Sequence, residues 1–149
     1  MRFMLLVKAT QKSEAGILPE PSAFEAMRTF NESMVKAGVM LDADGLASSS
    51  KGARVSFAGG KPTVTDGPFT ETTELVAGYW IISVKSKEEA IEWASRAPFD
   101  DDAVVEVRKF FEADDFPADA FAPGVHEQLF GPEWEAREKA MHEESQRRA

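Results

Sequence analysis

The chain has no cysteine among its 149 residues. Disulfides, thiol nucleophiles, iron–sulfur clusters and cysteine-built zinc sites are therefore excluded. Histidine is scarce: His126 and His142 are the two copies, both in the last quarter of the chain. They lack the i,i+4 spacing of a metalloprotease helix, so no metal is expected. No apolar run approaches the roughly 20 residues of a membrane helix. Met1 to Ala9 has a short apolar stretch and no small-residue cleavage site after it, so it reads as a strand, and the protein as cytoplasmic. No dinucleotide fingerprint is present. Gly59-Gly60-Lys61 lacks the Walker spacing and the helix that should follow it. No cofactor is implied. Lys and Arg number 17 against 26 Asp and Glu, a net charge of −9, with no basic cluster before Arg147-Arg148. Neither nucleic acid nor a membrane surface is an expected partner.

What is present fits one globular domain: 43% hydrophobic and 29% charged residues. The acidity is uneven. Residues 1–111 hold 13 basic and 16 acidic side chains, net −3, whereas residues 112–149 hold 4 and 10, net −6. A domain over 1–111 with an acidic C-terminal extension over 112–149 is the expected division, and the extension's charge reads as a solvated face.

Hydrophobic spacing orders the first part. Phe3 to Ala9 is a nearly continuous apolar strand. Pro19, Pro21 and Ser22 open a helix to Ala37, whose Phe24, Met27, Phe30, Met34 and Val35 recur every three or four residues before Gly38. Val39 to Leu41 is a brief strand. Ala47 to Gly52, with Ser48-Ser49-Ser50, reads as a flexible loop. Residues 54–57 and 62–65 alternate on either side of Gly59-Gly60, a hairpin signal. Leu75 to Val84 is a strand apolar on both faces. Ser86 and Glu89 form a capping box for a helix carrying Ala90, Ile91, Trp93, Ala94 and Ala97, which Pro98 ends. Val104 to Arg108 is the last strand. The three Asp of 100–102 lack calcium-loop spacing and read as a solvated loop. In the extension, Phe111, Phe116 and Phe121 precede a helix over Glu133–Arg148 anchored by Phe130 and Trp134.

The order β-α-β-β-α-β, with one extra hairpin, predicts an α+β fold: a ferredoxin-like antiparallel sheet with two helices on one face, plus a C-terminal helical extension. The two helices cover one sheet face, yet the Leu75–Val84 strand is apolar on both. A second copy of the sheet is the simplest cover, so a homodimer is expected.

Two sets of residues could carry chemistry. Asp66-Gly67-Pro68-Phe69 is a turn sequence, and Asp66 can serve the turn or act as a general base or ligand anchor at a pocket mouth. Lys8 ends the first strand in phase with Met4 and Leu6, while Glu106 and Arg108 leave the Val105–Val107 face. With Tyr79 they could share the sheet face away from the helices, either as a site for a small polar or anionic ligand or as an ion-pair ladder.

Phe3-Met4-Leu5-Leu6-Val7, Ala37-Gly38-Val39, Thr65-Asp66-Gly67-Pro68-Phe69-Thr70-Glu71, Gly78-Tyr79-Trp80-Ile81-Ile82, Glu88 to Ala94 and Val105-Glu106-Val107-Arg108 together resemble the YCII-related domain family, in its DGPF subgroup, over about residues 1–111. The resemblance implies a ferredoxin-like fold dimerising into an α+β barrel, a pocket proposed as an active site, and in some members a link to sigma factors. One departure stands out. YCII-type proteins resemble small enzymes with a His–Asp pair whose His lies on the first helix, and the helix Pro21–Ala37 has none. Asp66 would work without that base, or not catalyse. Two functions remain open: a small-molecule-binding protein or enzyme with its pocket near the Asp66 loop, and a non-catalytic interaction module whose tail docks a protein partner such as a sigma factor.

Overall fold

In β1 (Arg2–Lys8) alternate side chains are driven inward: Phe3 and Leu5 are buried, while Met4 and Leu6 stay half-buried on the opposite face. The computed structural model describes residues 1–100, 102–117 and 119–148, the side chains at 142, 145, 146 and 148 excepted. Asp101 of the acidic run and the His142 side chain lie outside the described residues.

A short helix α1 (Gln11–Glu14) follows β1, capped by Thr10 and Ser13 in a reciprocal box. Then come α2 (Pro21–Lys36) and β2 (Met40–Gly45). α2 ends one residue early because Ala37 caps it and Gly38 takes a positive φ. β2 runs longer than Val39–Leu41 because Asp42 and Asp44 point off the core face, across from Ile81 and Tyr79. A single 3₁₀ turn occupies Ser49–Lys51, followed by β3 (Ala53–Ala58) and β4 (Lys61–Asp66). Gly59 and Gly60 join them with φ of +64° and +80°, the two left-handed positions of a tight hairpin turn. Next are β5 (Val76–Ser83), α3 (Lys87–Ser95) and β6 (Val105–Lys109). The Ser86 hydroxyl accepts from Glu89 N–H, but the Glu89 carboxylate accepts from Lys85 N–H rather than closing the expected box on Ser86.

The result is a mixed α and β chain with antiparallel sheets and a C-terminal helix. Four strands pair antiparallel in the order β2-β5-β1-β6, and β3-β4 form a separate two-stranded sheet. Leu5 sits between Trp80 and Val107. On that face Phe3, Leu5, Trp80 and Ile82 meet Phe30 and Met34 of α2 and Ala90 and Trp93 of α3. Phe30 packs edge-on to Trp80 at 5.7 Å between ring centres. The indole N–H, which would be costly to bury unpaired, donates to Asn31 Oδ1 at 2.9 Å.

The chain divides into two units, Met1–Phe110 and Phe111–Ala149. In the second, a 3₁₀ turn at Ala113–Asp115 precedes α4 (Val125–Phe130) and α5 (Pro132–Arg148). Its phenylalanines pack on each other: Phe116 meets Phe111, Phe121 and Phe130 at 5.1–5.3 Å, and His126 lies between Phe121 and Phe130. No described helix is long and apolar enough to cross a membrane.

Candidate functional site

Ser49 joins three distant parts of the chain. Its backbone N–H donates to both Glu14 carboxylate oxygens at 3.1 Å, and its hydroxyl donates to Glu14 Oε2. The same hydroxyl oxygen accepts from Phe69 N–H at 2.9 Å. The Ser49 carbonyl accepts from Gly52 N–H, and the Gly52 carbonyl accepts from Gly67 N–H, each at 3.0 Å. Every end of this cluster is satisfied, which fixes its geometry. The triple-serine stretch is therefore a pinned turn, not the flexible loop its small polar residues suggest.

Gly67 is required by this contact. A Cβ built there would stand 1.9 Å from the Ser49 carbonyl oxygen and 2.7 Å from its carbon. Only a residue without a side chain lets the Asp66-Gly67-Pro68-Phe69 loop lie against the 3₁₀ turn. Phe69, held by its amide, presents its ring to Arg54, whose guanidinium carbon lies 3.9 Å from the ring centre. Arg54 also reaches Glu71 at 3.7 Å.

These residues enclose a depression of about 350 Å³. Its floor is Leu46, Leu75, Val76 and Phe69; Glu14, Ser48, Ser49, Lys51 and Arg54 supply its polar groups. It lies where the central strands begin and end: Ala9 N–H bonds Leu75 C=O at 2.9 Å, and Leu46 N–H bonds Ala77 C=O at 2.8 Å.

Asp66 is the last residue of β4, exposed and opposite Ala53. It does not line the depression. Position 68 is proline, so the backbone N–H that an Asp turn would ordinarily engage two residues on does not exist.

The second set of residues lies on the open sheet face. Lys8 Nζ meets Glu106 at 2.7 Å, and Arg108 reaches the other Glu106 oxygen at 3.0 Å. The hydrogen bonds from Lys8 and then Arg108 hold the Glu106 carboxyl below its ordinary value. Tyr79 shares this face but is separate from the trio. In register, Leu6 stands between Tyr79 on β5 and Glu106 on β6. The Tyr79 hydroxyl donates instead to Asp42 Oδ2 at 3.2 Å. Desolvation, then the Asp42 hydrogen bond and the charges of Asp42 and Asp44, push its pKa up. Three of the four residues thus come together as an ion-pair ladder, with Tyr79 one strand away.

Among known proteins, a family model for the YCII-related domain matches residues 1–114. The chain belongs to the YCII-related domain family. No curated protein matches it.

For this YCII-related domain, the sequence pointed to the loop but not to what the loop rests on. Glu14 and Ser49 are 35 positions apart, and Ser49 and Phe69 are 20 apart. No local spacing connects them. The one usable signal was the glycine-proline pair itself, which calls for close backbone approach. Gly67→Ala should therefore destabilise the domain by about 3 kcal/mol or more, because backbone has to move. Asp66→Asn should stay within about 0.5 kcal/mol of the parent. Denaturant unfolding of the two variants checks both values.

Proposed function

We propose that this YCII-related domain is a small-molecule-binding protein or enzyme whose site is the depression beside Asp66-Gly67-Pro68-Phe69, in the DGPF subgroup of the family. The observation that carries this reading is the Ser49 cluster. A chain that fixes a loop with an obligatory glycine, a shared hydroxyl and a stacked arginine has a rigid wall, and rigid walls around a concave, largely apolar surface are what ligand sites need. Asp66, exposed at the start of the loop and outside the lining of the depression, is the carboxylate we assign to any catalysis, without a histidine partner. Lys8, Glu106, Arg108 and Tyr79 form a second polar surface on the sheet, open to a small polar or anionic ligand.

The same proposal takes the fold as ferredoxin-like and the working form as a homodimer closed into an α+β barrel. Two apolar surfaces outside the core support it. Met4, Leu6 and Ile81 lie half-buried on the sheet face opposite α2 and α3. The hairpin β3-β4 turns Val55, Phe57 and Val64 to one side, 52%, 83% and 64% exposed. A lone two-stranded hairpin is marginal in water, and apolar surface of this kind marks an interaction site. A second reading, an interaction module for a protein partner such as a sigma factor, draws on the exposed Phe111, Leu129, Trp134 and Met141 of the C-terminal unit.

A thermal-shift screen of small metabolites tests the site. A ligand present at 100 times its dissociation constant should add about 2.7 kcal/mol of stability. The response should vanish in Asp66→Asn if Asp66 touches the ligand; an undiminished response would remove Asp66 from the site. A screen with no response, together with a protein captured only by the chain carrying residues 112–149, would favour the second reading. Sedimentation tests the assembly: the parent should run at twice 16.4 kDa, and the double variant Phe57→Ser, Val64→Ser should shift toward monomer. A monomeric parent would contradict the dimer.

A further inference from the structure

We infer that the depression takes a small amphipathic monocarboxylate, its charged head at Lys51 and Arg54 and its apolar body on Leu46, Leu75 and Val76. This rests on the site reading above and names its ligand class.

Open hydrogen-bond donors on the polar side point to this class. The chain as a whole is net −9, yet the polar side of the depression has one carboxylate and two cations. The carboxylate, Glu14, already accepts from the Ser49 N–H and hydroxyl. The cations keep open donors. Lys51 is exposed at the end of the 3₁₀ turn, and its ammonium has no partner among the described residues. Arg54 has one face covered by the Phe69 ring at 3.9 Å. Glu71 forms an ion pair with it at 3.7 Å but takes no hydrogen bond, so the N–H donors stay open. Stacking engages the face of a guanidinium and leaves its edge, with the paired N–H donors, for a planar acceptor. A carboxylate matches that edge with two parallel hydrogen bonds.

The surroundings narrow the class. A dianion such as a phosphate monoester would meet repulsion from Glu14 and Glu71, with only two cations to hold it. An amine would share Glu14 with the Ser49 donors and meet repulsion from Lys51 and Arg54. The other wall is apolar, with Leu46 left 51% exposed, so a wholly polar ligand would leave it wet. A volume of about 350 Å³ holds roughly ten non-hydrogen atoms, by comparison with the share of volume of liquid water molecules.

Full-length protein labelled with ¹⁵N is titrated with hexanoate and benzoate, their neutral amides, the corresponding amines, and inorganic phosphate. The carboxylates should move the Ser49, Lys51 and Phe69 amide signals and bind about tenfold more tightly than the amides. That advantage should shrink as salt rises from about 20 to about 200 mM. Lys51→Met and Arg54→Gln should each weaken hexanoate about fivefold or more, with Lys61→Met at the hairpin turn unchanged. Equal binding of amides and carboxylates at those signals would overturn the ligand class, as would preference for amines or phosphate, while leaving the site in place. Movement of no signal around the depression by any probe would overturn both the class and the site.

Discussion

The Ser49 hydroxyl donates to Glu14 and accepts from the Phe69 amide, so one small group ties α1, the 3₁₀ turn and the Asp66 loop together. Each of those segments is short. A four-residue helix and a single 3₁₀ turn have too few internal bonds to hold themselves in water. Their order comes from this tertiary contact, and the depression exists because they are ordered. Arg54 and Phe69 depend on it in turn, since the ring can meet the guanidinium only while its backbone is held.

The sheet supplies the other half of the site. The start of β5 places Leu75 and Val76 at the floor, and the helix-covered face is filled by Phe30, Met34 and Trp93. That face follows from alternation along β1 and β5 and from the three-to-four spacing along α2. The opposite face is half apolar and half charged, with the Lys8, Glu106 and Arg108 ladder beside Met4 and Leu6. Exposed ion pairs contribute little to stability. The ladder's effect is to keep charge at one side of a face whose middle is apolar.

Much of the fold could be read from the residues. β5 was recognisable because Trp80 and Ile82 need a core on one side while Tyr79 and Ile81 are apolar on the other. The hairpin was recognisable from Gly59-Gly60. Lys8, Glu106 and Arg108 could be placed on one face from strand phase together with the expected strand order. The site was less legible for a physical reason. Asp66-Gly67-Pro68-Phe69 advertises a turn, but its role depends on what Gly67 presses against, and Ser49 lies in a serine run with no pattern of its own. Likewise Tyr79 has the right phase for the ladder, yet Leu6 stands between, and Asp42 offered a nearer acceptor. Pairings across 20 or 35 positions are decided by topology, and periodicity is silent on them.

The order of the site depends on the Phe69 amide being held by Ser49. Amide hydrogen exchange reads that bond directly. In the parent protein the Phe69 N–H should exchange at least about a hundredfold more slowly than an unstructured amide, and Ser49→Ala should remove that protection while β1 and β5 keep theirs. A Phe69 amide that exchanges freely in the parent, or one that stays protected in Ser49→Ala, would contradict the account.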